Sequence, residues 1–420
     1  MNICFVHQNF PGQYKHLAPA LAEQQGNQVI GIGEQRRLGR LRHPKVKEVG
    51  YPTPRGASKT THPYVVGLEA SVRRGQATAR VALELRKKGF VPDMVCCHPG
   101  WGDGLFLRDV WPEAKSLYFH EFYHHGAGHD VNFDPEFASS FDDICRVRIR
   151  NANLLLSMQV ADWGITPTQW QYQALPSDIQ PRTSVIFDGI DTDIVRPNKD
   201  VTVRFGSGLT LTRKDEVITY VARNLEPYRG FHIFMRALPE IQRRRPNATV
   251  VVVGGDEVSY GRPPPEGIKS YRELYLKELA GKIDLSRVRF VGRVPYEQYL
   301  QVLQLSSLHI YLTYPWVLSW SMLEAMSTGC AIVASRTPPV EEVMTNGKNG
   351  VLTDFFDSAA LAETVDRMLD DRKLRERIGR AARKFVVDRY DLKRQCLPAQ
   401  LELIEKVASG ALPPSSDADV

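Results

Sequence analysis

Short apolar runs alternate with amphipathic stretches from one end of the chain to the other, a rhythm of buried strands carried between surface helices. Strands are predicted at Asn2–His7, Val29–Ile32, Met94–Cys97, Leu117–Phe119, Gly164–Thr166 and Ser184–Phe187. Helical periodicity fills Gln13–Gln25, Val65–Lys88, Phe137–Ser157 and Thr168–Ala174. A turn-rich passage, Asp188–Asn198, ends in Arg196-Pro197 and reads as a hinge. The alternation then restarts with strands at Val217–Val221, Thr249–Val253, Arg289–Val291, His309–Tyr311 and Ala331–Ala334. Helices are predicted between them at Gly230–Arg245, Tyr271–Lys282, Tyr296–Leu305, Leu323–Ser327 and Ser358–Leu369. Charged helices follow at Lys373–Asp388 and Leu392–Ser409, and the Pro-, Ser- and Asp-rich tail 410–420 reads as disordered. The fold class is α/β, with two doubly wound Rossmann-like domains whose ligands belong beyond the carboxyl ends of the strands.

Composition narrows the function classes. At 420 residues, 43% hydrophobic and 24% charged, the chain is a globular protein with room for two cores. No apolar run approaches the roughly 20 residues of a membrane span. The start, Met1-Asn2-Ile3-Cys4-Phe5-Val6, has no basic leader and reads as a strand, so a cytoplasmic location is expected. The six cysteines form no C-x-x-C pair and read as core thiols, with no metal site. A net charge of +6 does not call for nucleic acid. Arg36, Arg37, Arg40, Arg42, Lys45 and Lys47 crowd into twelve residues. They read as a solvated basic loop, with peripheral contact to the inner face of a membrane as the alternative.

The chemistry concentrates between Tyr314 and Cys330. A strand breaks at Pro315, small polar residues follow, and good helix formers resume at Leu323. Such a turn aims a helix N-terminus, carrying about half a positive charge, at an anion above the sheet. Glu324 can accept two hydrogen bonds from a vicinal diol such as a ribose, and phosphate plus diol describes a nucleotide. The plainer reading is a strand–turn–helix with a surface carboxylate. Arg223 and Arg229 flank a strand exit, where two guanidiniums can clamp a diphosphate. The loop after the first strand carries Gly12 before a helix start, without a G-x-G-x-x-G fingerprint. His120-Glu121-Phe122-Tyr123-His124 matches the H-E-x-x-H zinc pattern, but the glycine-rich exit to His129 argues against the helix that pattern needs. His120, at a strand's end, suits contact with a sugar hydroxyl.

Taken together, these passages resemble a family-4 retaining glycosyltransferase of the GT-B fold, over nearly the whole chain. The matching passages are Pro11-Gly12, His120-Glu121, Phe187-Asp188-Gly189-Ile190-Asp191, Arg223 to Gly230, Val253-Gly254-Gly255, Leu323-Glu324-Ala325-Met326 with Gly329, and Asn349-Gly350-Val351-Leu352. The resemblance implies an acceptor-side domain over 1–195, a nucleotide-sugar domain over 196–390, and a C-terminal helix over 391–409 that crosses back. It implies a nucleoside-diphosphate sugar as co-substrate, no other cofactor, no metal, and a glycan or lipid-linked acceptor in bacterial surface-glycan or glycolipid synthesis. By the same resemblance Arg223 and Arg229 bind the diphosphate and Glu324 the ribose. Backbone at Arg293 and Val294 holds the base, and Leu318, Ser319, Trp320 and Ser321 meet phosphate and sugar. His120 touches the donor sugar, for which Gly12 makes room. One position departs from the family pattern: Trp316 stands where a sugar-binding glutamate is usual. An indole accepts no hydroxyl hydrogen bonds, so altered sugar contacts or stacking is expected. Two other readings stay open: a sugar-nucleotide epimerase or hydrolase of the same fold, and a catalytically silent sugar-nucleotide-binding subunit.

Overall fold

The computed structural model describes residues 1–206 and 208–411, so the predicted disordered tail lies largely outside the described residues. The chain divides into two compact units: Met1–Asp188 with the segment from Lys393 onward, and Gly189–Leu392.

In the first unit, seven parallel strands form one sheet: β1 (Asn2–Val6), β2 (Gln28–Glu34), β3 (Val46–Tyr51), β4 (Met94–Cys97), β5 (Lys115–Phe119), β6 (Trp163–Thr166) and β7 (Thr183–Val185). Their order is β3-β2-β1-β4-β5-β6-β7, which reverses direction between β1 and β4. β4 and the buried stretches Ile3–Val6 and Leu117–Phe119 read as apolar runs because helices cover both faces of a parallel sheet. The helix Leu397–Ala408 belongs to this unit and inserts Leu403, Ile404 and Val407 into the core around Phe5, Leu21 and Leu117.

The second unit opens with a short antiparallel hairpin, β8 (Thr202–Arg204) and β9 (Thr210–Thr212). Six parallel strands follow: β10 (Val217–Asn224), β11 (Thr249–Gly255), β12 (Val288–Gly292), β13 (Leu308–Tyr311), β14 (Ile332–Ser335) and β15 (Val351–Thr353). Their order, β12-β11-β10-β13-β14-β15, places the switch point between β10 and β13. Each unit therefore has the doubly wound topology whose crevice lies beyond the strand ends at that reversal.

Several elements differ from the sequence expectation: β8, β9 and β15 lie outside the predicted strands, and the helix expected over Gln13–Gln25 is a 3-10 turn, Gly12–Lys15, followed by Leu17–Glu23. Lys47 lies in strand β3, not in a basic loop, and two of the neighbouring charges are matched: Arg36 pairs with Glu34 and Lys45 with Glu23. The predicted helix over Phe137–Ser157 begins instead at Phe141, because Ser140 and Asp143 form a reciprocal capping box. The helix predicted from Leu323 starts a turn earlier, at Trp320, capped by the Ser319 hydroxyl. The continuous helix predicted from Leu392 is a π turn, Leu392–Cys396, followed by Leu397–Ala408. All six cysteines are free, five of them buried.

Candidate functional site

At the switch point of the second unit, β10 ends in Arg223-Asn224, and the chain passes through Leu225-Glu226-Pro227-Tyr228 to Arg229. Arg223 is exposed, whereas Arg229 is buried. The Arg229 guanidinium donates through Nη1 to Thr313 Oγ1 at 2.9 Å and to the Val317 carbonyl at 3.1 Å. Those two acceptors lie just past β13, so one cation ties together the strand exits on either side of the reversal. Arg229 also lies over the Tyr260 ring, 5.6 Å from its centroid.

An aromatic wall surrounds that cation. Tyr228 stacks on Tyr314 with centroids 4.7 Å apart, and Trp316 packs against Tyr260 at 5.5 Å and edge-on to Tyr228 at 6.0 Å. With 6% of its surface exposed, the Trp316 indole is mostly wall and offers little face for a sugar to stack on. Glu226 fixes the loop that delivers Tyr260: its Oε2 accepts the Ser259 and Tyr260 N–H groups at 2.7 and 3.0 Å. Burial raises the Glu226 carboxyl above the ordinary glutamate range, against the pull of those N–H groups and of Arg229 and Arg223.

The helix Trp320–Ser327 starts beside this wall. Ser319 N–H donates to the Tyr311 hydroxyl at 3.0 Å, and the Ser319 hydroxyl takes the Ser321 N–H at 3.3 Å. Leu318 is buried, while Trp320 and Ser321 are half-buried. One turn in, Glu324 is buried, and its two oxygens each accept a phenol, Tyr296 and Tyr299, at 2.6 Å. Burial first, and then the carboxylate, push both phenol pKa values upward, so these groups stay donors. Each carboxylate oxygen accepts two hydrogen bonds, so the clamp orients Glu324 without exhausting it. Tyr296 and Tyr299 escaped the sequence reading; their signal is the three-residue spacing that puts both on one helix face. Arg293, beyond β12, bonds Asn224 Oδ1 and Glu257 at 2.7 Å each, and Val294 beside it is half-buried.

Gly12 and His120 belong to the first unit. Gly12 has φ +51°, and a Cβ there would fall 2.3 Å from His7 Nε2, so it is the His7 ring that demands glycine. His120, at the end of β5, is buried, with Nδ1 3.3 Å from Thr183 Oγ1. Its Nε2 has no hydrogen-bond partner among the described residues. Burial, with Arg182 and His98 nearby, lowers its pKa to about 3 and keeps the ring neutral. The segment from His120 to His124 is coil, and His124 is held by Asn151 on both sides of its peptide. Among the described residues no three His, Cys, Asp or Glu side chains are placed to share a metal.

Residues 25–195 match the glycosyl transferase family 4 group, and residues 208–385 match the glycosyl transferases group 1. The D-inositol 3-phosphate glycosyltransferase of Corynebacterium efficiens is 29% identical over 205 residues, 48% of this chain and 46% of that protein. Its counterpart in Corynebacterium diphtheriae is 26% identical over 290 residues, 66% of this chain and 62% of that protein. The chain thus spans about half the length of these curated relatives. Sucrose-phosphate synthase from Thermosynechococcus elongatus superposes with a TM-score of 0.72 at 16% identity, covering 98% of this chain and all of that one. Anabaena HepE, solved in complex with UDP-glucose, superposes with a TM-score of 0.63 at 18% identity, covering 98% and 99%. At such identities the likeness fixes the fold, that of the GT-B glycosyltransferases.

Proposed function

We propose, on the premise that the chain belongs to the group 1 glycosyltransferases, that it moves a hexose-type sugar from a nucleoside-diphosphate sugar to a hydroxyl acceptor, with retention and without a divalent metal. The observation that carries this reading is the buried Arg229 bridging the two strand exits at the switch point. A buried, fixed guanidinium stabilises the charge that grows on a departing diphosphate, which is the work a metal does elsewhere. Arg223, exposed at the same edge, adds a second positive charge. Glu324, held by two tyrosines, suits the ribose diol, and Arg293 and Val294 suit the base.

In the retaining step the bond from the anomeric carbon to the leaving phosphate breaks, and the acceptor oxygen bonds that carbon on the same face. The acceptor's proton passes to the departing phosphate oxygen, so no carboxylate nucleophile is required. HepE was solved with UDP-glucose, which supports a uridine nucleotide as the donor to try first. The inositol-phosphate relatives support a polyol or sugar acceptor, consistent with surface-glycan or glycolipid synthesis.

The test is calorimetry with UDP, GDP and ADP, followed by anomeric NMR of the product with and without EDTA. Binding of one nucleotide and a product of the donor's anomeric configuration, insensitive to EDTA, is the expected result. An inverted product overturns retention. Turnover abolished by EDTA and restored by a divalent cation overturns metal independence.

A further inference from the structure

At the switch point of the first sheet, the ends of β1, β4 and β5 bring His7, His98 and Glu121 into one polar cluster, in which hydrogen bonds run from His7 through Gln13 to Glu121. The direction of each bond can be assigned. His7 Nδ1 accepts the Asn9 N–H at 2.8 Å, so the proton sits on Nε2, which donates to Gln13 Oε1 at 2.8 Å. Gln13 Nε2 then points its N–H at Glu121 Oε1, 3.3 Å away. His98 Nδ1 accepts the Gly100 N–H, leaving Nε2 as the protonated nitrogen; it lies 3.5 Å from Glu121 Oε2, a close polar contact and not a hydrogen bond. Burial, with His98 nearby, lowers the His7 pKa to about 3, which keeps this polarity fixed across the working pH range.

The hydrogen bonds run one way and reach a carboxylate whose side chain is 36% exposed, while His98 is 1% exposed. Beside it, the half-buried Trp101 indole stacks on His98 with centroids 4.7 Å apart and 24° between planes, and Phe119 backs the same imidazole at 5.4 Å. An oriented carboxylate next to a rigid aromatic face is the pairing that recognises carbohydrate: the carboxylate takes hydroxyl hydrogens, and the indole takes the apolar C–H face of a pyranose or cyclitol ring.

We propose that Glu121, oriented by Gln13 and His98 and flanked by Trp101, is the subsite that binds the acceptor as a carbohydrate or cyclitol hydroxyl. The word acceptor rests on the transferase reading; the binding itself does not. Saturation-transfer NMR on the full chain, with methyl α-D-glucopyranoside, methyl α-D-mannopyranoside and D-inositol 3-phosphate as probes and UDP present, tests it. At least one probe should bind wild type, with its ring C–H protons receiving the transfer. Glu121→Gln and Trp101→Ala should each weaken that probe at least about tenfold, the equivalent of one charge-assisted bond. Trp101→Phe should retain most of the binding. Calorimetric affinity for UDP should be unchanged in all three variants, which also reports that they are folded. No binding of any probe to wild type, equal binding by Glu121→Gln, or a parallel fall in UDP affinity overturns the proposal. Failure of wild type to bind any nucleotide overturns the donor reading and leaves this result to be judged on its own.

Discussion

Asp103 gives the sharpest quantitative handle on the first unit. It follows the turn that carries Trp101 and is fully buried, with Oδ1 accepting the Tyr51 hydroxyl at 2.5 Å. Its Oδ2 has no hydrogen-bond partner among the described residues. Burial raises its pKa from the ordinary 3.8 to about 6, against the opposing pull of the Tyr51 bond and of Arg74. The folded chain therefore holds this proton more tightly than the unfolded one. The stabilisation is fully present below about pH 4 and is lost as pH rises through about 6. A rise from 3.8 to about 6 corresponds to about 3 kcal/mol of stability missing above pH 7.

Asp103→Asn keeps the shape and an acceptor for Tyr51 but cannot ionise. Measured against wild type by thermal unfolding, the variant should gain about 2.5 kcal/mol more at pH 8 than at pH 4, where part of the unfolded chain's carboxyl is already ionised. For a unit of this size that is a relative rise on the order of 10 °C. Reading the difference between the two pH values cancels any fixed effect of losing a charge near Arg74. An equal effect of the substitution at both pH values would refute the reasoning and mean that Arg74 fully offsets the burial of the carboxylate.

Three further outcomes are expected. Arg229→Ala should weaken UDP about 100-fold, the loss of about two charge-assisted bonds. Arg229→Lys should recover little of this because a single ammonium cannot reproduce the guanidinium fork; calorimetry showing wild-type affinity in either variant would remove Arg229 from the donor site. Tyr299→Phe leaves a buried Glu324 oxygen one donor short and should destabilise the second unit by about 1–3 kcal/mol. Tyr296→Phe should do less because Tyr296 is 51% exposed, and equal urea midpoints for the two variants would contradict that ordering. Leu403→Ala opens a cavity in the first core and should lower stability by about 2–5 kcal/mol while leaving UDP affinity intact; an effect below about 0.5 kcal/mol would mean that the helix Leu397–Ala408 does not seal that core.

What the sequence discloses and what it hides divide along a physical line. β1, β10 and β11 are legible because a parallel strand buried on both faces must be apolar throughout, as in Val250-Val251-Val252-Val253. β3 is hidden for the converse reason: it lies at the sheet edge, where Lys47 is exposed and Glu48 half-buried, so its composition is that of a loop. Arg229 and Glu324 are legible as residue types near a strand exit and a helix start. Their partners are not, because periodicity encodes which face is buried and not which side chain waits across from it. Nothing in the spacing of Tyr296 and Tyr299 distinguishes an amphipathic helix face from a clamp on a carboxylate twenty-five residues or more downstream.

The same limit explains why attention falls on His120 in the sequence and shifts to Glu121 in the structure. Extended chain turns successive side chains to opposite sides. Beyond the end of β5 this puts the His120 ring inward, against Thr183 and over Gly164, and swings the next side chain toward solvent. Residue type favours the histidine, since imidazole is the commoner functional group at neutral pH. Orientation favours the carboxylate, because only Glu121 can reach a molecule arriving from outside while being held from behind by Gln13 and His98. A polar cluster with one assignable hydrogen-bond direction, running from a backbone N–H to a half-exposed carboxylate, has no sequence signature. Its members lie at positions 7, 13, 98 and 121, and only the strand order β1-β4-β5 brings them together.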